Sequence, residues 1–148
     1  MDQVRATIEG AFPNLIHTHY EITSPATPSY NCIAWAAKDT QRWWWPGLGA
    51  PYYWPTGSPT ALVVASFIQA FRGLGYEVCP SADLEEGFEK VAIYALNTEP
   101  KHSARQLPDG QWTSKLGGSY DIKHATLESV EGNAYGVAVE IMKRAAIG

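Results

Sequence analysis

The sequence predicts an α+β fold in which N-terminal helices pack on a small antiparallel sheet, and three observations carry it. An Ala-rich helical run stands early, over Cys32-Ile-Ala-Trp-Ala36. The strongest strand pattern lies later, over Phe88–Leu96. Between His102 and Leu116 the turn Pro108-Asp-Gly110 joins two further strand-like runs, which completes a three-strand meander. At 148 residues with 45% hydrophobic content, one core and one domain over 1–148 are expected.

Along the chain, Asp2–Gly10 reads as a short helix with Asp2 as its cap and Val4 and Ile8 on one face. Three prolines at 13, 25 and 28 break the next stretch, leaving room for a short strand at Tyr20–Thr23. Asn31 then caps the Ala-rich helix, so Cys32 falls in its first turn. Trp43, Trp44, Trp45, Tyr52, Tyr53 and Trp54 are interleaved with Pro46, Gly47, Gly49, Pro51 and Pro55, a loop loaded with rings. Ser58-Pro59 reads as a helix start. Val64, Phe67, Ile68 and Phe71 form that helix's buried stripe, and Gly73 and Gly75 end it. Tyr76–Cys79 is a short strand in which Cys79 is an ordinary buried thiol, and Glu85–Glu89 is acidic and turn-like. Gly117 and Gly118 break the meander, and Asp121–His124 opens the last segment. In the tail, Val137, Val139 and Ile141 alternate as in a strand. Asn133 as cap and the closing Lys143-Arg144 favour a helix, and a helix is expected there.

Composition narrows the function classes. Eleven basic against fifteen acidic residues give a net charge of −4, which argues against a non-specific nucleic-acid or anionic-membrane binder. The longest apolar run, Ala61–Ala65, is far shorter than a bilayer span. No basic flank precedes an apolar stretch near Met1, so a cytoplasmic protein, or one exported without a classical signal peptide, is expected. Two cysteines make neither a disulfide framework nor a CxxC site, and His17 and His19 lack further ligands. No metal and no cofactor are expected.

The chemistry suggested by residue order is that of a thiol nucleophile. A helix N-terminus lowers a cysteine's pKa and aims free N–H groups where an oxyanion would form. An imidazole delivered by a strand can relay the proton, and His102 opens such a strand. Ser114, Asp121 and Gln106 are candidates to orient that ring, and His124 is an alternative base that would share a helix face with Asp121. Asn31, Trp43, Trp44, Trp45 and Trp54 are the expected substrate-binding residues, because the ring-rich loop begins about ten residues after Cys32 and three consecutive tryptophans cannot all enter one core. Arg105 and Lys115 are possible anion contacts, with solvation as their ordinary fate.

This order of a helix cysteine, then a strand histidine, resembles the papain-like cysteine hydrolases, in particular their compact NlpC/P60, CHAP and transglutaminase-like branches, over roughly residues 29 to 116. The resemblance implies an amide-cleaving peptidase, amidase or deamidase, or acyl transfer through the same thiol. It also implies a peptide or protein substrate. Locally the sequence departs from those branches: Ser103-Ala-Arg105 follows His102, and Ser114-Lys115 stands where a transglutaminase-like enzyme places its aspartate. A tighter resemblance covers most of residues 31 to 124. Asn31-Cys-Ile-Ala-Trp-Ala36, Tyr53-Trp-Pro55, Glu89–Tyr94, His102–Leu107, Asp109–Gly117 and Asp121–His124 are similar to an uncharacterised bacterial family of unknown function, which implies no reaction. The alternative to an enzyme is a binding, immunity or adaptor module that uses the aromatic loop 43–54 as its contact surface.

Overall fold

A computed structural model describes residues 2–116 and 118–146, so the expected break at Gly117 lies outside the described residues, as does the side chain of the expected cap Asp2. The fold is α+β, with seven antiparallel strands in one open sheet. The strands are β1 (Tyr20–Ser24), β2 (Glu77–Cys79), β3 (Phe88–Leu96), β4 (Glu99–Gln106), β5 (Trp112–Lys115), β6 (Asp121–His124) and β7 (Val137–Ala145). Their order across the sheet is β1-β6-β5-β4-β3-β7-β2. The expected meander is therefore β3-β4-β5, and it forms the middle of the sheet.

The tail is a strand, not a helix. The alternation of Val137, Val139 and Ile141 prevails because β7 fills the slot between β3 and β2, pairing along almost its full length with β3. The segment opened by Asp121 is also a strand, paired with β1 and β5, so Asp121 and His124 share no helix face. At Ser58-Pro59 the helix does not start. The Pro59 carbonyl accepts the Trp54 indole N–H at 2.8 Å, and the Val63 amide bonds Ala61. Helix α3 begins only at Val64 and runs to Arg72.

The sheet carries a hydrophobic layer on each face. Helix α1 (Asp2–Ala11) and the 3-10 turn Pro13–Ile16 cover one face with Ile8, Phe12 and Leu15 against Tyr94, Ala104, Trp112 and Ile122. Helix α2 (Cys32–Ala36) and α3 cover the other with Ile33, Phe67 and Phe71 against Val91, Ile93 and Met142. Strand alternation assigns the remaining side chains. His102 pairs across from Tyr94 and so faces α1, whereas Ser103 pairs across from Ile93 and so faces α2.

Two irregularities surround His102. Lys101 is an unpaired extra residue in β4, between the pairs Tyr94↔His102 and Ala95↔Pro100. Val139 is the corresponding extra residue in β7. Bulges of this kind re-aim side chains and are frequent beside functional sites.

Candidate functional site

The site is built where β4 and β5 part. These strands pair only at Arg105↔Thr113 and Gln106↔Trp112. Toward Glu99, β4 runs on without backbone pairing to β5, and the N-terminus of α2 packs against it there. Cys32 Sγ lies 3.9 Å from the Lys101 carbonyl, and its thiolate would accept from the Ser103 amide. The segment preceding α2 is fixed by Asn31, buried, whose side-chain oxygen caps the helix through the Ala34 amide at 3.1 Å. The same oxygen accepts the Trp44 amide at 3.1 Å, and the Asn31 Nδ2 donates to the Trp44 carbonyl at 2.7 Å. One side chain thus joins the nucleophile's helix to the aromatic loop.

A groove of about 740 Å³ opens beside Cys32, walled by Trp43, Trp45, Leu48, Tyr52 and Tyr135. Asn31 and Lys101 also line it. The three consecutive tryptophans divide as their crowding requires. Trp44 is buried and packs on Tyr53, with its indole N–H on Asp39 at 2.8 Å. Trp43 and Trp45 are half-buried along the groove. Trp54 turns inward onto Phe67, with ring centroids 5.1 Å apart, and does not line the groove.

The thiol at rest is neutral. Burial pushes Cys32 up to about 11, and the backbone N–H groups of Ser103, Ile33 and Cys32 itself, together with the Lys115 charge, pull it back only in part. No hydrogen bond joins it to His102, whose side chain faces the α1 layer while Cys32 sits in the α2 layer, so the structure at rest does not pair the expected nucleophile and base. Five residues of α2 are too few for the helix terminus alone to offset that burial.

On the α1 face of the same strand pair, three buried side chains form a chain. His102 Nε2 is 2.9 Å from Ser114 Oγ, which is 2.8 Å from His124 Nε2. His124 Nδ1 is 2.8 Å from the Thr126 carbonyl. Proton positions follow from that last contact. A carbonyl only accepts, so His124 carries its proton on Nδ1. Burial holds His124 down at about 4, so it is neutral at pH 7 and its Nε2 is an acceptor. Ser114 must then donate to His124, and its remaining capacity accepts from His102 Nε2–H. His102, held well below the ordinary histidine range by burial and by His124, is neutral too. Its Nδ1 is therefore a bare lone pair, buried and without a hydrogen-bond partner. Tyr135 stacks on this ring, 3.9 Å between centroids and 4° from parallel, and the same tyrosine lines the groove.

The other expected site residues fall elsewhere. Asp121 accepts the Tyr30 hydroxyl at 2.6 Å and faces α2, away from His102. Gln106 donates to the Ala82 carbonyl at 2.9 Å. Lys115, expected at the surface, is fully buried and donates to the Thr27 and Ser119 carbonyls beside the Tyr30 ring. His124, expected as an alternative base on a helix face with Asp121, is fully buried on β6. Cys79 is buried with its thiol on the Ser81 carbonyl, and His17 and His19 are exposed on the turn before β1. No cluster of three metal-ligating side chains occurs among the described residues.

Sequence reasoning missed Thr126 and Tyr135. A signal for the second was present: Tyr135 stands in a tight loop closed by reciprocal Gly132 and Gly136 backbone bonds of 3.0 and 2.8 Å. Two glycines four apart around a tyrosine mark such a turn.

Compared with known proteins, the chain is matched over residues 21–143 by a domain of unknown function, DUF7689, and it belongs to that family. The match spans every strand but the ends of β1 and β7, so the groove and the histidine chain are both parts of the family domain. No curated protein matches the chain, and no solved structure does. No helix among the described residues is long and apolar enough to cross a membrane.

Proposed function

We propose that this protein is a cysteine-nucleophile hydrolase of the papain-like type, cleaving an amide bond whose acyl side is apolar. The observation that supports it best is the bare Nδ1 of His102: a buried acceptor, its tautomer set by Ser114, His124 and Thr126, on the strand whose neighbouring backbone touches Cys32. In this reading both partners rest neutral. When a carbonyl enters the groove, Cys32 attacks its carbon as the thiol proton passes to His102 Nδ1. The oxyanion lies near the N-terminus of α2, where the Cys32 and Ile33 amides are free of helical partners. His102 then returns the proton to the leaving amine, and water repeats the cycle on the thioester.

The test is acylation. With a 4-nitrophenyl ester of 3-phenylpropanoic acid, the wild-type protein should release nitrophenol in a burst and carry the acyl group on Cys32 by mass spectrometry. Cys32→Ala should abolish the burst, Cys79→Ala should keep it, and His102→Ala should slow it by about 10²-fold or more. Turnover without acylation of Cys32 sinks the reading.

The half-exposed rings of Trp43, Trp45 and Tyr52 favour a second reading, in which the groove binds an apolar peptide segment without chemistry. In that case Trp43→Ala or Trp45→Ala abolishes complex formation and Cys32→Ala leaves it intact.

A further inference from the structure

A second cavity, of about 640 Å³, lies at the opposite end of β4 from Cys32, between the loop before β3 and the β4–β5 hairpin. Leu84, Phe88, Leu107 and Pro108 supply its apolar walls, and Leu84 and Phe88 are more than a third exposed. Arg105 lines it from the α2 face. The Arg105 guanidinium carbon lies 5.3 Å from the Trp35 ring, and its buried Nε has no hydrogen-bond partner.

Of the carboxylates that share the cavity, Glu85 and Glu89 form ion pairs with other cations and not with Arg105. Glu85 is taken by Lys143 and Lys90, and Glu89 by Lys38 and Arg144. No carboxylate among the described residues lies within ion-pair distance of Arg105, in contrast to Arg42, Arg72 and Arg144. Burial pulls its pKa down, and the Tyr76 hydroxyl, Glu89 and Asp121 offset that only in part. A half-buried guanidinium with an orphan donor is costly, and a planar fork resting on an aromatic ring is the geometry that receives a carboxylate through two parallel bonds. The apolar walls of Leu84, Phe88, Leu107 and Pro108 favour an anion that carries an apolar group over a fully hydrated one such as phosphate.

We propose that this cavity binds a carboxylate attached to a small apolar group, with Arg105 as its anchor. The same chemistry is carried by a free branched-chain acid or by the C-terminal residue of a peptide. The proposal does not rest on the reading of Cys32.

The experiment is an NMR titration of the intact ¹⁵N-labelled protein, followed at Arg105 Nε–H and at the Trp35 indole N–H, which donates to Thr113. The probes are isovalerate, N-acetyl-leucine, the tripeptide Ala-Ala-Leu and N-acetyl-leucinamide. Saturable shifts at both reporters with the acids, and none with the amide, are expected. Arg105→Gln should weaken binding at least about tenfold, the loss of a charge-assisted pair. Stronger binding of isovalerate than of the tripeptide assigns the free acid, and the reverse assigns the peptide terminus. Absence of saturation by about 10 mM, equal binding of the amide, or unchanged affinity in a folded Arg105→Gln protein overturns the proposal. The acid-against-amide comparison needs no variant, so it stands even where Arg105→Gln does not fold.

Discussion

At the scale of single residues, the polar chain through Ser114 binds stability and chemistry together. Ser114→Ala leaves His102 Nε2 and His124 Nε2 buried without partners, and each unsatisfied group costs about 1–3 kcal/mol. Urea unfolding at pH 7.5 should register that loss, and Ser114→Thr, which keeps the hydroxyl, should recover part of it. The same histidines make stability pH-dependent, with a definite sign. Both are held below the ordinary value, His124 at about 4, so the unfolded chain binds more protons than the folded one between about pH 6.5 and 4. Stability from these groups is complete above pH 6.5 and falls as pH drops through that window, by at most about 1.4 kcal/mol per unit per histidine. Urea midpoints at pH 7.5, 6 and 5 should decline, and His124→Asn should flatten the decline. A midpoint that rises toward pH 5 contradicts the neutral assignment. The Asn31 cap and the neighbourhood of His102 and Ser114 were legible in residue type and order, and the structure shows both contacts. Thr126 was not, since it acts through a carbonyl that every residue possesses, and Lys115 was misjudged because nothing local announces the two carbonyls that bury it.

Among the elements, the loop that presents Tyr135 is the most tightly constrained. Gly136 has φ +73°, and a Cβ there would meet the Ala95 carbonyl oxygen at 1.9 Å. Gly136→Ala should therefore destabilise the fold by about 2 kcal/mol or more and displace Tyr135 from His102. Thermal unfolding and the His102 ring shifts measure the two effects. Asn31→Ala should remove about 1–2 kcal/mol of cap and also release the aromatic loop, which limited proteolysis within residues 46–52 would report. Elements with local signals were read correctly: α2 from its cap and alanines, β3 from its β-branched run, and the meander from Pro108-Asp-Gly110. Helix α3 was set to start too early because Ser58-Pro59 carries a capping signature that Trp54, five residues back, overrides by occupying the Pro59 carbonyl. Strand β6 pairs with β1 across 97 to 104 residues and β7 with β3 across 42 to 57, and no local pattern names those partners.

For the whole molecule, the opening left where β4 and β5 stop pairing is the feature on which the proposed site depends. Arg105↔Thr113 and Gln106↔Trp112 hold the hinge of that opening. Residue patterns marked β3, β4 and β5 but not where their pairing stops, since the α2 N-terminus that packs beside β4 lies some 70 residues earlier. The net charge of −4 gave only an expectation against polyanionic partners, and the family the chain belongs to adds no reaction.

The most direct measurement of the central claim, that a neutral Cys32 is activated by proton transfer to a neutral His102, is the pH dependence of Cys32 acylation in wild type and His102→Ala. A thiol near 11 acting alone would gain about tenfold in rate per pH unit across pH 6–9, with or without the histidine. The expected result is a rate nearly independent of pH across that range in wild type, with the steep climb appearing only in His102→Ala. The same steep climb in both proteins would contradict the account.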